Sequence, residues 1–309
     1  MSALEILLLS LSSAAAGAIN SIAGGGTLLT FPALIWSLGG TDASYVIANA
    51  TSTISLCPGS FSSAWAYRRE LPLYRHALGW LVPPSLLGSV LGTWLLLHDK
   101  PDTFKMLVPW LILVATLLFA LQPQIARWTG QGQKKETLTD EELAHAPSTS
   151  RRWTIMGFAF LIGVYGGYFG AGIGILTLSA LALLGMNDIH GMNAVKTIIA
   201  SLINLVAIAF FLAHDFGWTS AGGEQTITQV INWPRAVPMI FAGIAGGYLG
   251  ASVARRMNKN VVRRIVVLIG FALAANYFYK LFMEDATKPA PVKAAEPVAL
   301  SVEVSRENC

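Results

Sequence analysis

The sequence predicts an all-α polytopic membrane protein, with two inverted repeats of about five hydrophobic segments each and broken helices near the midplane of the bilayer. Three observations predict this fold class. Of the 309 residues, 54% are hydrophobic and only 12% are charged, whereas a soluble domain usually carries about 25% charged residues. The charged residues form short islands, and the apolar stretches between them are long enough to be membrane spans. The pattern of apolar segments also runs twice along the chain.

Each apolar segment between two polar breaks predicts one membrane helix. The segments are 3–22, 27–40, 43–66, 77–97 and 104–121 in the first half, and 153–172, 174–185, 189–213, 235–254 and 262–283 in the second. We therefore divide the chain into a first transmembrane repeat (1–121), a cytoplasmic linker (122–152), a second transmembrane repeat (153–283) and a disordered tail (284–309). The linker and the tail are polar and show no apolar period.

Short motifs recur at corresponding places of the two halves. Two motifs of the first half correspond to motifs of the second: S-L-G-G-T-D at 37–42 to L-L-G-M-N-D at 183–188, and A-N-A-T-S-T at 48–53 to M-N-A-V-K-T at 192–197. Chance similarity is the alternative, since Gly and Ala are common in spanning helices. Short loops rich in Lys and Arg remain in the cytoplasm. The basic loops of this chain all lie on the cytoplasmic side only if each half crosses the membrane five times. An odd number of crossings turns the second half upside down, so the duplication is predicted to be inverted.

Glycine-rich breaks precede the short second segment of each half. The residues of these breaks are Asn20, Gly24, Gly25, Gly26 and Thr27 in the first half, and Gly170, Gly172 and Gly174 in the second. A helix of the length of these short segments does not cross about 30 Å of hydrocarbon, so its glycine-rich end is expected inside the membrane. Unpaired backbone groups are costly there unless they face protein, water or a ligand, and a helix N-terminus favours an anion. The breaks therefore predict an anion site; the alternative is that the glycines only permit close helix packing.

A polar stripe follows one face of the segment 189–213, because its members are three or four residues apart. The stripe contains Asn193, Lys196 and Thr197, and the matching part of the first half contains Asn49, Thr51, Ser52 and Thr53. An ionisable residue within a membrane usually faces a cavity or a partner. Lys196 either lines the substrate path, snorkels to the interface, or pairs with a carboxylate such as Asp188. One cation with hydroxyls, amides and exposed N–H groups describes a pocket for a small anion.

Other function classes have weaker support. The net charge is +4, but the arginines lie at the ends of apolar segments, where they meet lipid headgroups, so a nucleic-acid partner is not expected. No spaced carboxylate pair, nucleophile with a base, or metal cluster occurs within the predicted spans, so no enzymatic activity, cofactor or metal is expected. Asp42 and Asp188 precede the third segment of each half and are interpreted as helix N-caps.

Three motifs together resemble the TauE/SafE sulfite exporter family, also called TSUP. They are G-x-I-N-S-I-A-G-G-G-T-L-L-T-F-P-A-L at 17–34, G-G-Y-F-G-A-G-I-G-I at 166–175, and N-A-V-K-T-I-I-A-S-L-I-N at 193–204. The resemblance implies a secondary carrier in the cytoplasmic (inner) membrane for a small sulfur-containing anion, such as sulfite, thiosulfate or an organosulfonate such as sulfoacetate. Discontinuous helices in inverted repeats are typical of such carriers, which work by alternating access. A proton or a sodium ion is the candidate coupling ion. An anion channel built on the same broken helices is the alternative function.

Overall fold

The structure is a computed structural model that describes residues 1–22, 24–66, 71–128, 149–183, 189–218, 227–254 and 259–287, together with residues 68 and 186. These residues form ten α-helices and one short 3-10 helix (Leu71–Tyr74), and they contain no strand. The α-helices are α1 (Ala3–Ile22), α2 (Thr27–Ser37), α3 (Asp42–Ala66), α4 (Arg75–His98), α5 (Pro101–Trp128), α6 (Thr149–Tyr168), α7 (Ile173–Leu183), α8 (Ile189–Asp215), α9 (Trp233–Ala254) and α10 (Lys259–Thr287). The all-α prediction is confirmed for this part of the chain.

Each of the ten predicted segments corresponds to one helix, with differences at the ends. Helix α2 ends at Ser37 and not at residue 40, because Gly39 and Gly40 adopt positive φ angles of 84° and 70°. This left-handed backbone ends helices and is easily adopted only by glycine. Helices α5 and α6 extend into both ends of the predicted linker. The rest of the linker (129–148) and most of the predicted tail (288–309) lie outside the described residues.

Several helices are suited to a membrane by length and composition. Four helical stretches among the described residues are long and apolar enough to cross one: Ala3–Asn20, Leu71–His98, Pro101–Leu118 and Gly191–Asp215. Two shorter apolar stretches are Thr27–Ser37 and Val267–Met283. The exposed side chains of α1 include Leu4, Leu7 and Leu11, which are three or four residues apart and form one apolar face. Such a face is suited to lipid.

The helices of the two halves pack against each other in a reciprocal way. The first helix of each half packs against the fourth helix of the other half, α1 against α9 and α6 against α4. The third helices, α3 and α8, pack together, and so do the fifth helices, α5 and α10. Glycines allow the closest of these approaches, since a Cβ on Gly88 or Gly92 of α4 would overlap the backbone of α6. For these glycines, close packing is a sufficient explanation.

Two clusters of buried apolar side chains form the core. One contains Phe31, Phe104 and Phe169, and includes parts of α2, α3 and α5. The other contains Leu81, Ile155, Met192 and their neighbours on α4, α6, α7 and α8. The beginning of α7 joins them, because Ile175 belongs to the first cluster and Ile173 to the second. The second glycine break therefore lies where the two clusters meet.

Candidate functional site

The two glycine breaks contact each other directly. A Cβ built on Gly24 would lie 2.7 Å from the Cα of Gly174, and a Cβ built on Gly174 would lie 2.8 Å from the Cα of Gly24. Real Cβ atoms do not approach other atoms so closely, so the backbones touch only because both residues are glycine. Gly24 also has a φ angle of +80°, which side chains disfavour. The structure thus brings together two breaks that are 150 residues apart in sequence (174 − 24).

The first break lies beside the middle of α1. A Cβ on Gly26 would overlap the backbone of Ala16, and the Ser12 hydroxyl donates a hydrogen bond to the carbonyl oxygen of Leu29 at 3.1 Å. Helix α1 has 20 residues and is therefore about 30 Å long. Helix α2 has 11 residues and a length of about 16 Å. Helix α2 therefore begins well inside the length of its neighbour.

The second break is a tight turn between α6 and α7. Gly170 and Gly172 have positive φ angles of 75° and 82°, and the Tyr165 hydroxyl donates to the carbonyl oxygen of Ala171 at 2.9 Å. The Gly170 N–H donates back to the carbonyl oxygen of Tyr165. The turn leaves the carboxyl end of α6 and the amino end of α7 on either side of it. These two ends carry partial charges of opposite sign.

Lys196 is buried next to the contact between the breaks. Its residue exposure is 3%, and its Cδ would lie 3.3 Å from a Cβ built on Gly174. Its Nζ donates to Asn193 Oδ1 at 3.1 Å, and no carboxylate within the described residues forms an ion pair with it. Such burial does not fit a side chain that snorkels to the membrane interface. Asp188, the alternative partner, lies outside the described residues.

Two polar side chains of α3 lie next to Gly170 of the second break. Thr53 Oγ1 and Asn49 Oδ1 would lie 3.5 and 3.9 Å from a Cβ built on Gly170. Asn49 Nδ2 donates to the carbonyl oxygen of Tyr168 at 3.2 Å, which attaches α3 to the end of α6. The second break therefore has Lys196 near its α7 side and two oxygen-bearing side chains near its α6 side.

The other predicted site residues make contacts within and between helices. Ser52 Oγ is 2.5 Å from Thr30 Oγ1, and the Asn20 amide donates to Ser60 Oγ at 3.0 Å. A Cβ on Gly172 would lie 3.0 Å from that of Ala115. The remaining partners are as follows: Thr51 Oγ1 accepts from the Asn232 N–H at 3.0 Å, Thr197 Oγ1 donates to the Asn193 carbonyl at 2.7 Å, and the Gly25, Gly26 and Thr27 carbonyls accept from Leu28, Leu29 and Thr30.

Two polar contacts between the halves were not predicted from the sequence. Arg235 of α9 donates from Nε to Ser37 Oγ at 2.7 Å and from Nη2 to the Ser37 carbonyl oxygen at 2.8 Å. A cation at the carboxyl end of α2 also interacts favourably with the helix dipole. The Tyr168 hydroxyl donates to Asp99 Oδ2 at 3.0 Å. The sequence feature that could have indicated a role for Arg235 is that it is a lone arginine beside a loop with few positive charges.

The described conformation is closed at the contact between the breaks. Because Gly24 and Gly174 touch, no anion fits between them there. A cavity of about 10 Å³ lies instead among apolar side chains of α4, α6, α7 and α8, including Leu81, Ile155 and Ile199. This volume is about that of one water position. Binding of a solute between Gly24 and Gly174 therefore requires the breaks to separate.

Comparison with known proteins identifies the family. The sequence profile described as "Sulfite exporter TauE/SafE" matches residues 9–277. This chain belongs to the TauE/SafE family. The match includes both glycine breaks, Asn49 and Lys196, and it confirms the resemblance predicted from the motifs. TauE/SafE is a family of membrane transporters, which is consistent with a protein that is not an enzyme.

Curated relatives of the TauE/SafE chain carry the same general description. This chain is 28% identical over 264 residues to a "Probable membrane transporter protein" of Haemophilus influenzae, and the match covers 84% of this chain and 89% of the relative. It is 25% identical over 271 residues to "Probable membrane transporter protein YfcA" of Escherichia coli K12, covering 85% and 86%. It is 26% identical over 270 residues to "Probable membrane transporter protein YunE" of Bacillus subtilis, covering 84% and 93%. No solved structure gives a significant match.

Proposed function

We propose that this protein is a secondary transporter that moves a small sulfur-containing anion across the cytoplasmic (inner) membrane by alternating access. Sulfite, thiosulfate and organosulfonates such as sulfoacetate are the candidate substrates, in keeping with the family description. The observation that carries the proposal is the position of Lys196, which is 3% exposed and lies against the point where the two breaks meet.

A buried ammonium group needs compensation for the hydration it loses. An isolated buried charge is strongly unfavourable, and buried charges are normally paired. Lys196 has the neutral amide oxygen of Asn193 as its hydrogen-bond partner, and an ammonium group has three N–H donors. An anionic substrate would supply the missing negative charge and further acceptors. The amino end of α7, which begins at Ile173, adds partial positive charge next to it.

The reciprocal helix packing supports a mechanism in which two helix pairs, each with one helix from either half, move relative to each other. Helices α1 and α9 form one closely packed pair, and α4 and α6 form the corresponding pair. If five crossings per half turn the second half over, these pairs are related by an axis in the membrane plane, which is the construction of many secondary transporters. Movement of one pair relative to the other would separate Gly24 from Gly174 and open the Lys196 region to one side at a time.

Transport by purified protein in proteoliposomes tests the proposal. We expect uptake of labelled sulfite, thiosulfate or sulfoacetate by the wild type, and at least a tenfold loss with Lys196→Met, which removes the charge but keeps the length of the side chain. The matched control is Lys105→Met, because Lys105 has its own carboxylate partner, Asp42, at 2.8 Å. Equal uptake by the Lys196→Met and Lys105→Met proteins would refute a role for Lys196 in binding.

Counterflow separates a carrier from the alternative anion channel. A carrier loaded internally with unlabelled substrate accumulates labelled substrate faster, because the binding site returns loaded. A channel shows no such stimulation and does not saturate in the same way. The direct contact between Gly24 and Gly174 favours the carrier, since the described part of the chain shows no continuous opening at that point.

A further inference from the structure

We propose that the second break holds a sodium ion at the carboxyl end of α6, bound by Asn49 Oδ1, Thr53 Oγ1 and the carbonyl oxygen of Gly166, and that this ion is coupled to anion transport. The inference rests on the proposed transport function for the coupling, but the binding site is argued from its own geometry. The site lies next to Gly170 of the second break, whereas Lys196 lies next to Gly174.

The missing side chain of Gly170 leaves a niche surrounded by oxygen atoms. A Cβ built on Gly170 would have three oxygens as its nearest neighbours outside the adjoining residues. They are Gly166 O at 3.5 Å, Thr53 Oγ1 at 3.5 Å and Asn49 Oδ1 at 3.9 Å. Oxygens of three residues thus surround one point beside Gly170, and oxygens arranged around one point are what replaces the hydration shell of a small cation.

The amide oxygen of Asn49 has no partner of its own. Asn49 is 1% exposed, and its Oδ1 forms no hydrogen bond within the described residues. The orientation of the amide is fixed, because Nδ2 donates to the carbonyl oxygen of Tyr168, and an oxygen could not do so. A buried acceptor without a partner is unfavourable by about 1–3 kcal/mol. A group that satisfies this atom is a hydrogen-bond donor or a cation, and not an anion.

The charges around the niche favour a monovalent ion. The last carbonyls of a helix carry partial negative charge, and the carboxyl ends of interrupted helices are a recurrent place for coupling cations in secondary transporters. None of the three oxygens belongs to a carboxylate, whereas divalent cations in proteins usually have carboxylate ligands. The Thr53 hydroxyl already donates to the Asn49 carbonyl at 2.8 Å, so its lone pairs can face the ion.

The two sides of the break would then bind opposite charges. The end of α6 with Asn49 and Thr53 would hold a cation, and the beginning of α7 with Lys196 would bind the anion. Because Gly170 and Gly174 both belong to the second break, separation of the breaks would disturb both sites together. This arrangement couples the sodium gradient to anion movement, since occupation of one site favours occupation of the other through electrostatic attraction.

Sodium binding can be measured without any anion substrate. The melting temperature of purified protein in detergent is followed in NaCl, KCl and choline chloride at equal ionic strength. A ligand that binds the folded state raises the melting temperature in a saturable way. We expect a larger rise in melting temperature with NaCl than with KCl or choline chloride. Equal melting curves in the three salts would overturn the inference, whatever the variants do.

Threonine variants locate the site. Thr53→Val keeps the shape but removes the oxygen, and we expect at least a tenfold weaker apparent sodium affinity; Thr53→Ser keeps the oxygen and should retain the wild-type affinity. Thr116→Val is the matched control, because Thr116 is also buried, on α5, and its hydroxyl likewise donates to the carbonyl oxygen four residues earlier. Wild-type sodium affinity in Thr53→Val would show that the ion does not bind here.

Proteoliposome uptake then separates the two proposals. If anion uptake is at least threefold faster with an inward sodium gradient than with an equal gradient of choline, the result supports coupling. Uptake that is indifferent to sodium, or that follows a proton gradient alone, overturns the coupling while the transport function stands. Specific sodium binding without transport of any sulfur-containing anion contradicts the proposed function while the cation site stands.

Discussion

Replacement of Gly174 by alanine tests the contact between the two glycine breaks. Gly174 is the second residue of α7, so the new methyl group would project from a helix. It would lie 2.8 Å from Gly24 Cα, 3.2 Å from Gly24 O and 3.3 Å from Lys196 Cδ. Two of these three neighbours belong to the backbone and cannot move away by a change of rotamer.

The magnitude follows from two opposing effects. Alanine in place of glycine within a helix is favourable by about 0.5–1 kcal/mol. Overpacking of a filled interior is unfavourable by about 1–3 kcal/mol. Gly157 of α6 offers a matched control, because it is an exposed helical glycine and nothing lies within 4 Å of a Cβ built on it. Gly157→Ala should therefore be neutral or stabilising, whereas Gly174→Ala should lower the free energy of unfolding by about 1–2 kcal/mol.

Thermal unfolding in detergent micelles and uptake in proteoliposomes measure the two consequences. A loss of about 1 kcal/mol corresponds to roughly 2–4 °C in melting temperature for a chain of about this size. We expect Gly174→Ala to melt at least a few degrees below Gly157→Ala and to transport several times more slowly, because the closed conformation no longer forms well. If the two variants have the same melting temperature and uptake rate, the breaks do not pack as described.

Two further substitutions test contacts between the halves. Arg235→Leu removes both hydrogen bonds to Ser37. A hydrogen bond to a charged group contributes about 1.5–3 kcal/mol, and partial exposure reduces this, so we expect the free energy of unfolding to fall by about 2–4 kcal/mol. The melting temperature should be lower than that of the control Arg264→Leu, which replaces an exposed arginine. Thr51→Val leaves the Asn232 N–H without its acceptor, which should destabilise the protein by about 1–3 kcal/mol and accelerate hydrogen exchange at the Asn232 amide; unchanged exchange would show that this bond contributes nothing.

Much of the helical architecture could be predicted because apolar period and polar breaks are local properties of the sequence. Asn193, Lys196 and Thr197 share one helix face at the predicted spacing, and Lys196 is buried as an intramembrane cation should be. Gly170 adopts the left-handed backbone that makes a glycine necessary in the second break. These features depend on a few neighbouring residues and need no knowledge of which helices pack together.

Pairing between distant residues could not be predicted in the same way. The contact of Gly24 with Gly174 depends on the packing of two halves, and periodicity gives no information about helix partners. Arginines at the ends of segments were interpreted as headgroup anchors, so the bonds of Arg235 to Ser37 were missed. Asp42 was interpreted as an N-cap, but it is the first residue within α3, and its carboxylate pairs with Lys105. An ion pair between residues 63 positions apart has no local sequence signal.

The exchange of partners between the halves has a consequence for biogenesis. When the ribosome has completed α5, the tightest partners of α1 and α4, which are α9 and α6, have not yet been inserted. The glycine faces of α1 and α4, including Gly17 and Gly88, would meanwhile meet lipid or insertion machinery in place of protein. The packing of the nascent first half is therefore incomplete at this stage, and it is completed only when the helices of the second half have been inserted.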